Sequence, residues 1–402
     1  MKRNISIIFI SFFVTVLFAQ SNDLNYFTEM YNNAHSVSNQ LEILRQVQKE
    51  NIPGSVDFFA KILKNINLNQ ISLRTNADRN AADEAVRLIT SILREEGYRD
   101  AGADLWQAVK VFSNPLVKAD ALIALGKIGE ASYVSDVAQL LQDINSIAPP
   151  DRETQIANER IAYGAILYLE NFKDSAGYLP VFFASIGWYS ARVRNQASIS
   201  LAQIMDDPTD ILIEVIRGER GVGSAINAVN VKHLALRTEE RSGVSSESKS
   251  RVAAVALAEG WLYTTNDPQD RIELAAMRKL ALNMLRRYGT TDLSVYPNIN
   301  LSFTRSYDSD EKFGAVSTLA ALGSDEAVDL LVSYLRELHT QRTRNNWTSA
   351  DEQVIRSLIS ALGATRNRKA QPMLVEIANA TLYTSAINNL AARALENVGG
   401  RR

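Results

Sequence analysis

"LVKADALIALGKIGEASYVSDVAQLL", residues 116–141, is the stretch whose reading decides the fold. Counting back from Gly129, Ile128, Leu125, Ala121 and Val117 lie one, four, eight and twelve residues before it. At about 100° per residue these four positions fall within an arc of about 80°, so they make one apolar stripe on a helix. The stripe ends in a glycine, the residue that most readily takes the left-handed conformation closing a helix. Val134, Val137 and Leu141 then begin a second apolar periodicity. The stretch therefore predicts a helical hairpin.

The same template fits Met277, Ala281, Leu285, Tyr288 before Gly289, and Ile387, Ala391, Leu395, Val398 before Gly399. It also fits Val193, Ala197, Leu201, Ile204 before Met205, and Ile161, Ala165, Leu169, Phe172 before Lys173. Two copies are degraded at the first position: Glu311 precedes Ala315, Leu319, Leu322 and Gly323, and Asp351 precedes Ile355, Ile359, Leu362 and Gly363. A small residue recurs eight before the break because a neighbouring helix must come close there. Second helices open on capping residues, Ser324 before Asp325-Glu326 and Asp207 before Pro208. The breaks at 129, 173, 205, 289, 323, 363 and 399 recur at 32 to 44 residues, apart from one interval of 84 that spans about two units. A period of this length is the signature of stacked hairpins that cannot bury their apolar faces singly.

The Val-Arg, Ala, Leu-Gly pattern appears as Val117-Lys118 with Ala121 and Leu125-Gly126, as Val193-Arg194 with Ala197 and Leu201, and as Met277-Arg278 with Ala281 and Leu285. It resembles the HEAT repeat family, in particular the short HEAT-like repeats of the phycobilisome-lyase type. The resemblance covers roughly residues 80–402 and implies an all-α fold: a right-handed α-solenoid of stacked antiparallel helical hairpins. Residues 20–112 match the template poorly, with Glu96 interrupting Ala85, Ile89 and Leu93 before Gly97, and are expected to form divergent or capping repeats ahead of an array over 113–402. Within 217–268 the polar run "RTEERSGVSSESK" is expected to be a loop that hides one unit.

Lys2-Arg3, the apolar run Ile5–Phe18 and Ala19-Gln20-Ser21 have the layout of a secretory signal peptide over residues 1–19. The run is shorter than the roughly 20 residues a transmembrane helix needs, so no stable membrane anchor is expected after cleavage. Export to a bacterial periplasm or beyond is the expected location. The chain has no cysteine, so disulfides and thiolate chemistry are excluded. With 43 basic against 45 acidic residues, the charge argues against nucleic acid, which needs a basic surface.

The sequence shows no motif that carries chemistry, so no catalytic residue, metal or cofactor is expected. His35, His233 and His339 are isolated in sequence and read as solvated surface. "RGERGVGSA" (217–225) has glycines at 218, 221 and 223 but helical flanks, which makes it an interhelix loop rather than a dinucleotide loop. "YDSDEKFG" groups Asp308, Asp310 and Glu311 without the further ligands of a calcium loop, and reads as helix capping. A non-catalytic, protein-binding scaffold is the expectation. Its candidate contact residues lie in two segments read as loops: Trp188, Tyr189 and Arg192 in "IGWYSARVRN", and Arg342, Arg344 and Trp347 in "HTQRTRNNWTSAD". Trp, Tyr and Arg are the types that dominate interface hot spots. An alternative is a binder of an envelope polymer or small ligand, or a weak enzyme, using Tyr178, Phe182, Phe183 and Trp188.

Overall fold

The computed structural model describes residues 24–70, 73, 75–221, 226–344 and 348–399. These residues are all-helical, with no strand among them. The proposed signal peptide and Trp347 lie outside them. The chain divides into two compact units, residues 1–205 with 222–225, and 206–221 with 226–402.

The first unit holds α1 (24–32), α2 (Val37–Glu50), α3 (Ser55–Asn69), α4 (Asn76–Glu95), α5 (Gly102–Val111), α6 (Pro115–Ile128), α7 (Val134–Ser146), α8 (Arg152–Leu169), α9 (Tyr178–Ile186) and α10 (Ala191–Ile204). The opening stretch folds as α6 and α7. Val117, Ala121 and Leu125 are fully buried, and Gly129 stands at φ 75° with its N–H and that of Glu130 returning to the carbonyls of the last turn. Ala119, Leu122, Ala124 and Gly126 are buried too, because α6 packs on α4, α5 and α8. One stripe underestimates a helix with three neighbours. Tyr168 of α8 donates its hydroxyl to the Glu130 carbonyl at 2.7 Å, which ties α8 to the turn that ends α6.

Packing in this unit alternates: α2 on α4, α4 on α6, α6 on α8 and α8 on α10, while each even-numbered helix from α4 also packs on the helix before it. Helix α7 lies chiefly against α8 and α9, not against α6. The close α6–α8 approach explains Gly164, where a Cβ would stand 2.8 Å from the Cα and carbonyl oxygen of Ala119. In α4, Ala85, Ile89 and Leu93 are buried ahead of Gly97 at φ 64°. Glu96 does not interrupt this stripe, since the helix has already ended at Glu95.

The second unit holds α11 (Thr209–Arg217), α12 (Ala228–Arg241), α13 (Ser246–Leu262), α14 (Pro268–Tyr288), α15 (Val295–Thr304), α16 (Ser309–Leu322), α17 (Asp325–Thr343), α18 (Ser349–Thr365), α19 (Gln371–Asn379) and α20 (Ser385–Gly399). The alternation continues: α12, α14, α16, α18 and α20 pack in succession, as do α11, α13, α15, α17 and α19. The run 237–249, expected as a loop, is mostly helix. Arg237–Arg241 complete α12, and α13 begins at Ser246, with Ser245 capping it by accepting the Ser248 N–H.

Three breaks differ from expectation. Helix α18 runs past Gly363 to Thr365 and closes on Arg366 at φ 54°. A Cβ on Gly363 would meet the Ala394 Cα at 2.9 Å, so this glycine serves close contact with α20 and not termination. Helix α20 includes Gly399. Helix α8 stops at Leu169, before the Phe172-Lys173 break. By contrast Gly323 ends α16 in the left-handed conformation, and Ser324 caps α17 by accepting the Ala327 N–H, both as the spacing predicts.

Candidate functional site

In the second unit a groove of about 540 Å³ runs across α11, α13 and the start of α15. These helices pack in succession, α11 on α13 and α13 on α15. One side of α13 is core, with Val252, Ala253, Ala256 and Leu257 fully buried. The next side presents Ala254, Val255 and Ala258, half-buried, as the groove floor. Small side chains at i and i+4 keep that floor low.

Charged residues surround the floor and are mostly paired with one another. Arg251 of α13 donates to Asp210 of α11 at 2.6 Å. Glu259 accepts from Lys232 of α12 at 3.2 Å, and Lys232, itself buried, also donates to the Ile216 carbonyl at the end of α11. A cation at a helix C-terminus satisfies a carbonyl left open by the helix. Asp292 accepts the Ser294 N–H at 2.8 Å. Arg217, exposed at the last turn of α11, has no ion-pair partner among the described residues. The groove thus offers a small-residue floor, the Arg217 guanidinium and a rim of exchangeable ion pairs.

The residues expected from sequence are distributed differently. Tyr189 is core: it is 2% exposed, donates its hydroxyl to Asn145 of α7 at 2.7 Å, and has its phenol pushed well above the usual range by burial. Trp188 stacks on it with ring centroids 4.1 Å apart, is half-buried, and leaves its indole N–H without a partner. Arg192 is exposed, with its guanidinium 4.9 Å from the centre of the Tyr163 ring. In the other segment, His339–Thr343 belong to α17, so the loop begins after Thr343 and not at His339. Arg342 reaches the Leu382 carbonyl at 3.3 Å, while Arg344 is exposed at the helix end. Trp347 lies outside the described residues.

Tyr178, Phe182 and Phe183 are fully buried and so cannot stack on a surface ligand. His233 and His339 are not solvated surface either. The first meets Glu273 at 2.9 Å, and the second lies between Tyr383 at 3.0 Å and Glu376 at 3.3 Å. Among the described residues, no group of three metal-ligating side chains gathers to hold an ion, and no helix is long and apolar enough to cross a membrane. Asp308 caps α16, accepting the Asp310 and Glu311 N–H groups.

Sequence reasoning missed the groove residues. Their signal was the Ala254–Ala258 pair in "RVAAVALAEGWL", small residues beside the core stripe, in the stretch where the template is hardest to place. Searched against models of known families, the chain matches none, and no curated protein matches it.

Proposed function

We propose that the chain is an exported, non-catalytic protein-binding scaffold of the bacterial cell envelope, built from HEAT-like hairpins stacked as a right-handed α-solenoid within each unit. The observation that carries this reading is the groove on α11, α13 and α15, on the second helices, where stacked hairpins present a continuous binding surface. The alternating helix contacts inside each unit support the stacked arrangement. Arg217 and the Arg251–Asp210 pair supply exchangeable polar contacts to a bound polypeptide.

The test places a photocrosslinker at Ala258 in the groove or at Arg287 on the exposed side of α14, in the native envelope, and identifies what each captures. Repeated capture of one protein from position 258 and not from 287 is the expected result. Equal capture at both positions, or none above background, would overturn the scaffold reading.

A further inference from the structure

One hydroxyl in the second unit stands between two acids. Thr209, buried at the start of α11, reaches Asp207 Oδ1 at 2.5 Å and Glu239 Oε1, near the end of α12, at 2.8 Å. A hydroxyl has one proton to donate, so with both acids ionised one of these two contacts has no hydrogen in it. A proton on Glu239 fills both: the acid donates to Thr209, and Thr209 donates to Asp207. Asp207 is the acid that stays ionised. The Thr209 hydroxyl, the Thr209 N–H at 3.0 Å and the Ser248 hydroxyl of α13 at 3.3 Å hold its carboxyl below the ordinary range, while burial holds Glu239 above it.

The cluster adjoins one end of the groove on α11, α13 and α15. Asp210, next after Thr209, accepts from Arg251 of α13 at 2.6 Å, and both line the groove. Ser248, which Asp207 holds, lies three residues before Arg251 and so on the same side of α13. At the groove's other end Lys232 of α12 donates to the Ile216 carbonyl of α11 and to Glu259 of α13. Helix α12 therefore holds α11 at both ends, at one through a lysine and at the other through a shared proton. The charged groups that face Glu239 are Asp207, ahead of α11, and Lys249 of α13. Lys249 is engaged elsewhere: it donates to the Glu240 carbonyl at 2.9 Å, lies 5.3 Å from the centre of the Tyr288 ring of α14, and makes no ion pair with Glu239. Arg251 acts from α13 on Asp207.

We propose that Asp207, Thr209 and Glu239 form a pH-sensitive latch at this end of the groove. With Glu239 protonated, the first turn of α11 is tied to α12 and α13. When that proton passes to solvent, two carboxylates compete for one hydroxyl, the turn is released, and the Asp210–Arg251 pair goes with it. The groove is ordered toward acid and loosened as pH rises above the ordinary carboxylate range. Its use as a control on binding rests on the scaffold reading, whereas the latch itself rests on the cluster.

The experiment is amide exchange of the full chain, read by mass spectrometry for wild type and Glu239→Gln at matched pH from the carboxylate range upward. Glutamine keeps a donor for Thr209 at every pH, and comparison at equal pH cancels the intrinsic pH dependence of exchange. The two chains should exchange alike at the acid end. As pH rises, peptides from the starts of α11 and α13 should exchange faster in the wild type, by up to about tenfold per pH unit, the slope of one released proton. Peptides from α16 to α18 should match in the two chains throughout. Equal exchange at every pH would overturn the latch, and so would a difference spread evenly into α16 to α18, which would make Glu239 a source of general stability only. Infrared difference spectra of the two chains supply a second readout. The carbonyl stretch of a protonated carboxyl should persist in the wild type above the pH at which exposed carboxyls ionise, and its absence would also overturn the latch. A latch that responds while Ala258 captures nothing would leave the latch standing and remove the scaffold reading. Capture from Ala258 with equal exchange in both chains would remove the latch alone.

Discussion

Glu311 occupies a position where the repeat template calls for an apolar side chain, yet it is completely buried. Its partner is Arg278 of α14, which donates to both carboxylate oxygens at 2.7 and 3.0 Å and also to the Gly260 carbonyl at 2.9 Å. Ser306 donates a further bond to Glu311 at 2.8 Å. The acid was legible only as a defect, because its cation sits 33 residues away and no local pattern links the two. Arg278→Ala should cost about 3–5 kcal/mol by leaving a buried carboxylate unpaired, and Arg278→Ala with Glu311→Leu should recover part of that, both read from urea midpoints. A second buried acid, Glu239, shares a hydroxyl with a neighbour. Thr209 has one proton and two carboxylate oxygens in reach, Asp207 Oδ1 at 2.5 Å and Glu239 Oε1 at 2.8 Å. A proton on Glu239 satisfies both contacts, and burial holds that carboxyl above its ordinary range. The unfolded chain releases this proton first, so the stability Glu239 contributes falls as pH rises from the ordinary carboxylate range through the raised folded value. Glu239→Gln should therefore gain stability relative to wild type as pH rises above the ordinary carboxylate range. A gap that stays constant or narrows with pH would show that Glu239 is ionised in the fold.

Helices start and stop largely where the sequence punctuates them. Gly129 and Gly323 end helices in the left-handed conformation, and Ser324 starts one by capping. These signals act on their own segment and were legible. Gly363 looks the same on paper but is a contact residue, a distinction that only the position of Ala394 makes. Gly363→Ala should destabilise by about 1–3 kcal/mol, since the opposing atom is backbone and cannot move aside. Gly314→Ala is the control: its Cβ would stand 3.6 Å from a Leu282 methyl in ordinary contact, so helix propensity should dominate and stabilise by about 0.5–1 kcal/mol. Thermal melts of the two variants separate termination from packing as the reason for a glycine.

For the whole molecule, the helical class was legible because burial repeats with the helix turn. The template is a local signal: it puts a break at Met205 like the others and does not single it out as the division between the units. The groove was illegible for a related reason: Asp210, Arg251 and Asp292 come from three segments far apart in sequence. If each hairpin depends chiefly on its neighbours, Arg278→Ala should speed amide exchange in α13 to α16 while α2 to α8 keep their protection. Mass spectrometry of exchange on the full chain would decide it, and uniform loss of protection would refute neighbour-only stability. The Arg278 guanidinium also lies 4.0 Å from the centre of the Trp261 ring, and the Trp261 indole N–H donates to Ser302 at 3.1 Å. Trp106 and Trp188 lie in the first unit, stacked on Tyr133 and Tyr189. With Trp347 replaced by Phe, Trp261 becomes the sole indole of the second unit, and its emission colour serves as an optical label for the Arg278–Glu311 pair, readable in a cuvette without any attached dye.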